Sequence, residues 1–137
     1  MSTDLGTAGG RETRELLHFV TQQTRFALIN NVLQHPDQLP SMYELEELNP
    51  SVSDATVYKH VQKLVDAGIL EEVALDDDRR RQGYPWKFYG LTEEGRAFLD
   101  EHNLLAAEAT LQRIYESIGD KPEKMVKYEN APRPDRS

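Results

Sequence analysis

Apolar residues recur at helical spacing through the first quarter of the chain. They stand at Leu16, Leu17, Val20, Ala27, Leu28 and Val32. This spacing predicts helix between Arg11 and Leu33, and the polar residues 21–24 indicate that it is divided into two pieces. The second piece ends before Pro36, because proline disfavours the helical conformation in the residue that precedes it.

Two further helix starts follow along the chain. Ser41 has Glu44 three residues later, the spacing of a capping box, which predicts a short helix. A longer helix then begins, with Ser51 or Ser53 able to cap its N-terminus. Gly68 predicts where this helix ends, because glycine readily adopts the left-handed conformation of a C-terminal stop.

The period of the pattern changes after this helix. Residues 69–75 and 86–91 are enriched in branched and aromatic side chains, which is typical of strands. The charged residues 76–85 between them contain glycine and proline, as a hairpin loop does. Residues 92–118 are predicted to form a last helix, with a break near Asn103.

This order of elements predicts a mainly α fold with a two-stranded β wing. It is the order of a winged helix-turn-helix with a long C-terminal dimerisation helix. The 137 residues allow one domain, which we assign to residues 11–120, with residues 92–118 as the dimerisation helix. Residues 1–10 are predicted to be disordered, and residues 121–137, with three prolines and many charges, to be a flexible tail.

The composition excludes several classes of chemistry. The chain has no cysteine, so disulfides, thiolate zinc sites and cysteine nucleophiles are absent. No signal peptide or apolar membrane span is recognisable, which predicts a cytoplasmic protein without a membrane partner. The net charge is −8, which argues against nucleic acid, but residues 51–92 carry 7 acids and 6 bases and are close to neutral.

The longer helix that begins at Ser51 or Ser53 and ends before Gly68 has one apolar and one basic face. At about 100° per residue, Val57, Val61, Leu64 and Val65 share one arc. The opposite face presents Ala55, Lys59, Gln62 and Lys63, with Thr56 beside it and Ser53 at the helix start. A helix with such a face can enter the major groove of double-stranded DNA, where lysine and glutamine contact base edges or phosphates. The alternative is an ordinary solvated helix face.

The predicted hairpin loop carries the densest basic cluster of the chain. Arg79, Arg80 and Arg81 are consecutive, and a wing would place them against phosphates or in the minor groove. The preceding residues 76–78 are all aspartate. The loop therefore has an alternative interpretation, in which it neutralises itself and serves only solubility.

Two stretches resemble known regulators. Residues 53–70 (SDATVYKHVQKLVDAGIL) look like the recognition helix of archaeal and bacterial winged-helix transcription regulators. Residues 83–96 (GYPWKFYGLTEEGR) resemble the second wing strand and following helix of PadR-like regulators, and Tyr58 also suits that family. The resemblance implies transcription regulation through DNA binding, with Tyr58 in the interface. The N-terminal helix departs from the PadR opening, so an ArsR- or MarR-like group stays open. The acidic composition together with this resemblance suggests a haloarchaeal, halophilic version. The resemblance extends to regulators of the stress response in that group.

The last predicted helix carries an apolar stripe with 3-4 spacing. Its members are Leu104, Ala107, Leu111, Ile114 and Ile118. This is the seam of a coiled coil and predicts a homodimer, which would bind a pseudo-palindromic operator. The stripe can alternatively pack on its own domain.

The remaining features favour no enzyme and no cofactor. Asp100 and His102 match the start of an ArsR-like metal site, but Arg113 stands where its second histidine is expected, so no metal site is predicted. Residues 84–89 contain four aromatic side chains, assigned to the core and the hairpin edge rather than to base stacking. The functional alternatives are a winged-helix protein-interaction module without DNA, or a metal-responsive ArsR-like switch.

Acidic residues near the basic faces lead to one further expectation. Asp54, Asp66 and the aspartates at 76–78 border the predicted DNA-binding surface. Inorganic cations would be taken up there when DNA binds. The usual loss of affinity with rising salt should then flatten or reverse.

Overall fold

The computed structural model describes residues 10–105, 113, 116 and 121–136. Its elements are α1 (Gly10–Thr21), α2 (Gln23–Gln34), α3 (Met42–Glu47), α4 (Asp54–Asp66), β1 (Leu70–Ala74), β2 (Lys87–Leu91), α5 (Glu93–Glu101) and α6 (Glu123–Glu129). The mainly helical chain with a two-stranded antiparallel sheet agrees with the predicted winged helix-turn-helix. No helix in this part of the chain is long and apolar enough to cross a membrane.

Side-chain caps set the first helix boundaries. The break between α1 and α2 falls at Gln22, whose side chain accepts a hydrogen bond from the Arg25 amide at 2.9 Å. The predicted capping box of α3 is present: the Glu44 carboxylate accepts from the Ser41 amide at 2.9 Å, and the Ser41 hydroxyl accepts from the Glu44 amide. These caps satisfy amides that the first helical turn leaves unpaired.

The helix α4 begins and ends as its sequence predicts. Of the two candidate serines, Ser53 is the cap and accepts from the Thr56 amide at 3.2 Å. At the other end Gly68 has φ +78°, while the Ile69 amide donates to the Leu64 carbonyl. This is the hydrogen bond of a Schellman stop, which needs the left-handed glycine.

The two strands and the loop of residues 75–86 between them form the wing. Leu70 pairs with Leu91 and Ala74 with Lys87. A short 3₁₀ turn, Asp77–Arg79, lies within the loop. The Tyr89 amide of β2 donates to the Pro40 carbonyl at 2.9 Å, which ties the wing to the segment before α3.

One apolar core joins α1, α2, α3, α4, the wing and α5. Its buried members are Val20, Leu28, Ile29, Val32, Leu33, Leu45, Val57, Val61, Leu64, Ile69, Leu70, Tyr89, Leu91, Phe98 and Leu99. Three of the four valines and leucines predicted on the inner face of α4 are fully buried, and Val65 packs against the cluster. This packing fixes which face of α4 remains outside.

The structure describes the start of the helix predicted over residues 92–118, as α5. The helix α5 ends at Glu101, and the break lies near Asn103, as the sequence suggested. Asn103 has φ +61°, and the Leu104 amide donates to the Leu99 carbonyl at 2.7 Å. Asparagine tolerates this left-handed stop.

The predicted dimerisation stripe is only partly described. Leu104 is half-buried and packs against the core of its own domain, so for this residue the alternative interpretation holds. Ala107, Leu111, Ile114 and Ile118 lie outside the described residues. The disorder predicted for residues 1–10 likewise falls outside them, apart from Gly10.

The structure also differs from the flexible tail predicted over residues 121–137. Residues 121–136, here the C-terminal segment, contain α6, which packs on α3. Met125 and Ala131 are buried. The charged residue Arg133 anchors this segment, because its guanidinium group donates to the buried Glu44 carboxylate. The amino-acid composition of the segment does not indicate such a long-range contact.

Candidate nucleic-acid interface

The outer face of α4 has the polarity that its sequence predicts. Ala55, Lys59 and Lys63 are exposed, and Thr56 and Gln62 are half-buried. Neither lysine makes a salt bridge among the described residues. Two uncompensated ammonium groups one helical turn apart can therefore contact phosphates or base edges.

The start of α4 offers hydroxyls and amides. The Ser53 hydroxyl donates to the Thr56 hydroxyl oxygen at 2.9 Å, and both side chains lie at the exposed end of the helix. Amides of a first helical turn point outward and bind anions such as phosphate. Asp54 is exposed in the same turn, so a carboxylate stands beside this phosphate-binding geometry.

His60 lies on the flank of α4 and was not singled out from the sequence. Its Nδ1 is 3.2 Å from a guanidinium nitrogen of Arg25 in α2. Burial, and then the positive charges of Arg25, Lys63 and Lys59, lower the pKa of His60 below 6.5. His60 is therefore neutral at neutral pH, and its Nδ1 accepts a hydrogen bond from Arg25. This hydrogen bond joins α4 to α2.

The three wing arginines are exposed but differ in their contacts. Arg80 pairs with Asp77 at 3.0 Å, donates to the Leu75 carbonyl at 2.8 Å and stacks on Trp86 at 3.8 Å. The alternative of local neutralisation is therefore partly realised, in this residue. Arg79 donates to the carbonyl of Arg133 at 3.5 Å, and Arg81 lies over a tyrosine ring of the same loop.

A groove of about 370 Å³ is lined by residues of α3, α4, the wing and α6. Its lining residues are Ser41, Met42, Tyr43, Tyr58, Tyr84, Pro85, Trp86, Lys87, Tyr89 and Tyr128; we call it the aromatic groove. Tyr58 is the neighbour of Lys59 on α4, and Trp86 carries Arg80 on its ring. Residues of α4 and of the wing therefore line the same groove.

The helix α6 adds a basic element that the sequence prediction missed. Lys124 lies over Tyr43 at 4.4 Å, and Lys127 over Tyr84 at 4.6 Å. Lys124 and Lys127 are three residues apart on α6, whereas Lys121 precedes the helix and pairs with Glu129 at 3.1 Å. This helical spacing is the signal that the tail interpretation overlooked.

A solved protein structure with the same fold decides the family. It is described as the structure of a protein with a GntR superfamily winged-helix-turn-helix domain from Halomicrobium mukohataei. The two chains are 30% identical, the match covers 96% of this chain and 94% of the other, and the TM-score is 0.81. This chain belongs to the GntR superfamily of winged helix-turn-helix proteins.

A second solved structure supports the fold of this GntR-superfamily chain. Diamide-treated YodB from B. subtilis is 19% identical over 84% of this chain and 99% of its own, with a TM-score of 0.52. No protein-family model matches the chain, and no curated protein does.

The described part of this GntR-superfamily chain contains no metal site of the kind that the ArsR-like alternative requires. No group of three histidine, aspartate or glutamate side chains is placed there to hold a metal ion. His102 Nε2 lies 3.9 Å from the Glu101 carboxylate, and its ring packs against Phe98. Arg113 occupies the position where an ArsR-like metal site would have its second histidine, and it is exposed.

Proposed function

We propose that this GntR-superfamily protein is a transcription regulator that binds double-stranded DNA with sequence specificity. One observation carries the proposal: Lys59 and Lys63 are exposed on α4, and the arginine-bearing wing meets the same groove as this helix. A helix and a loop so placed can engage a major groove and the neighbouring backbone together.

The roles follow from position and contacts. We assign Ala55, Gln62 and Lys59 to contacts with base edges. Ser53, Thr56 and Lys63 are assigned to contacts with phosphates. Arg79 and Arg81 are the wing residues for the backbone or minor groove, since Arg80 is largely engaged by Asp77 and Trp86. Tyr58 is exposed and lines the groove between α4 and the wing.

We further propose a homodimer on a pseudo-palindromic operator. Leu104 packs on its own domain, so pairing would rest on Ala107, Leu111, Ile114 and Ile118. A two-fold dimer presents two copies of α4 about one DNA turn apart. The PadR-like subtype and the halophilic, haloarchaeal setting belong to this proposal, with the residues of the wing strand and the acidic composition as their support.

The experiment that tests the function is selection from a library of random duplexes. The wild-type protein is expected to enrich a pseudo-palindromic sequence over repeated rounds. The Lys59→Ala, Lys63→Ala double variant should lose that enrichment. Arg14→Ala, which removes one exposed cation from α1, should retain it. Enrichment of no sequence by the folded wild-type protein would contradict the proposal and favour a protein-interaction module.

A further inference from the structure

The C-terminal segment contacts the wing loop at two points. The ammonium group of Lys127, on α6, lies 4.6 Å from the centre of the Tyr84 ring. Farther along the segment, the carbonyl of Arg133 accepts a hydrogen bond from the guanidinium group of Arg79 at 3.5 Å. Tyr84 and Arg79 both belong to the loop of residues 75–86. The helix α6 therefore lies beside the part of the wing that carries the arginines.

Three cations at this contact have no carboxylate partner. Arg79, Arg81 and Lys127 are exposed. None of them makes a salt bridge within the described part of the chain, whereas their neighbour Arg80 pairs with Asp77 at 3.0 Å. The three charges are therefore available to an anion from outside the protein.

The Tyr84 ring brings two of these cations together. The guanidinium carbon of Arg81 lies 5.1 Å from the centre of the ring that Lys127 also contacts. The ring attracts both cations, but the two positive charges repel each other. A phosphate group can accept hydrogen bonds from both and so relieve the repulsion. The pair therefore suits a phosphate, the group that recurs along the backbone of DNA.

The same part of α6 also borders the groove between α4 and the wing. Tyr128 directly follows Lys127 on α6. It lines the aromatic groove together with Tyr58 of α4 and Tyr84 of the wing. Tyr58 in turn directly precedes Lys59, one of the proposed DNA contacts. A duplex that contacts both α4 and the wing would therefore pass close to this end of α6.

Lys124, three residues before Lys127, has different surroundings. Its ammonium group lies 4.4 Å from the centre of the Tyr43 ring, on α3. Burial raises the pKa of Glu46, also on α3, and the positive charge of Lys124 works against this rise. Lys124 therefore already has a carboxylate within reach of its charge. Because it is exposed on the same helix, it provides a matched control for Lys127.

We infer that Lys127 contacts a backbone phosphate of duplex DNA beside the wing. This contact makes α6 a third DNA-binding element, next to α4 and the wing loop, and it presupposes the proposed DNA-binding function. A lysine bound to phosphate positions the duplex without reading its sequence. Lys127 therefore strengthens the binding of every duplex, whereas Lys59, assigned to base edges, selects among sequences.

The test measures the affinity of the full chain for two duplexes, the one enriched by the wild-type protein and one of unrelated sequence. Lys127→Met removes the charge and keeps an unbranched side chain over Tyr84. It should weaken the binding of both duplexes by a similar factor, about three- to tenfold. Lys127→Arg should bind like wild type, and Lys124→Met should bind at most about twofold more weakly. No loss in Lys127→Met, or equal losses in Lys127→Met and Lys124→Met, would overturn the inference.

Neutral methylphosphonates distinguish a direct contact from a shift of the wing. Each backbone phosphate of the enriched duplex is replaced in turn, and the affinities of wild type and Lys127→Met are compared. For a direct contact, at least one replacement weakens the binding of wild type but leaves that of the variant unchanged. Identical profiles for the two proteins would overturn the inference and leave the proposed function standing. A wild-type protein that binds neither duplex would overturn both.

Discussion

Arg133 and Glu44 form a buried ion pair across 89 residues of sequence: a guanidinium nitrogen lies 2.8 Å from the Glu44 Oε1. The Arg133 side chain is 8% exposed and that of Glu44 is fully buried. His35 Nε2 contacts the second carboxylate oxygen, also at 2.8 Å. Burial by itself would raise the pKa of Glu44, but the hydrogen bond and charge of His35, together with Arg133, outweigh it and lower that pKa.

This pair predicts that Glu44→Gln destabilises the fold strongly. Removing one charge leaves Arg133 buried without its counter-ion, which costs about 3–5 kcal/mol in such pairs. The free energy of unfolding in urea measures the effect. Glu47→Gln, at an exposed position of the same helix, is the control and should cost less than about 1 kcal/mol. Equal losses in the two variants would contradict the role of the ion pair.

The contact between Arg25 and His60 predicts a shifted histidine titration. In the wild type the pKa of His60 lies below 6.5, and Arg25→Ala should raise it because a nearby positive charge and a hydrogen bond to the neutral ring are lost. NMR titration of the imidazole signals measures it, with Arg14→Ala as the charge-matched control. An unchanged His60 titration in Arg25→Ala would contradict this assignment.

The lowered pKa of His60 also makes the stability of the fold depend on pH. The unfolded chain takes up this proton more readily than the folded protein does. The contribution of His60 therefore makes the folded state less stable as the pH falls below 6.5.

Close approach at Gly95 predicts an unusual effect of alanine in a helix. A Cβ at this buried position would lie 2.5 Å from the Ile69 carbonyl oxygen, a backbone atom. Gly95→Ala should therefore destabilise the protein by about 1–3 kcal/mol, although helix propensity alone would stabilise it by about 1 kcal/mol. The shift in melting temperature of Gly95→Ala relative to wild type shows whether the substitution stabilises or destabilises the protein. Ala97→Gly, at an exposed position of the same helix, calibrates propensity, and a Gly95→Ala protein that is more stable than wild type would exclude the clash.

Acidic residues beside the proposed interface predict a weak salt dependence of DNA binding. Asp54 and Asp66 are exposed on α4, and residues 76–78 are exposed in the wing. Cations bound between these carboxylates and phosphates would offset the counterions that DNA releases. The plot of log affinity against log potassium chloride concentration should be flat or rising, and Asp54→Asn should make its slope more negative. Asp100→Asn on α5 should not change it, and a steep fall for the wild type would contradict the expectation.

Features specified by neighbouring residues could be predicted from the sequence. The capping box at Ser41, the cap at Ser53 and the stop at Gly68 are local hydrogen-bond motifs, so their spacing sufficed. The inner face of α4 followed from the helical period. Its basic outer face follows from the same period.

Features that depend on distant partners could not be predicted in this way. The C-terminal segment looked like a tail because its main anchor, Arg133, matches a glutamate 89 residues earlier. The aromatic groove likewise forms only when α6 brings Tyr128 and Lys124 beside Tyr43. In the sequence these residues are more than 80 positions apart.

Contact between the exposed lysines of α4 and duplex DNA is the basis of the proposed function. Fluorescence anisotropy with a duplex enriched by the wild-type protein measures this most directly, in parallel for wild type, Arg14→Ala and the Lys59→Ala, Lys63→Ala double variant. The double variant, folded and with unchanged oligomeric state, should bind at least about tenfold more weakly, while Arg14→Ala should bind like wild type. Equal affinities of the double variant and wild type would contradict it.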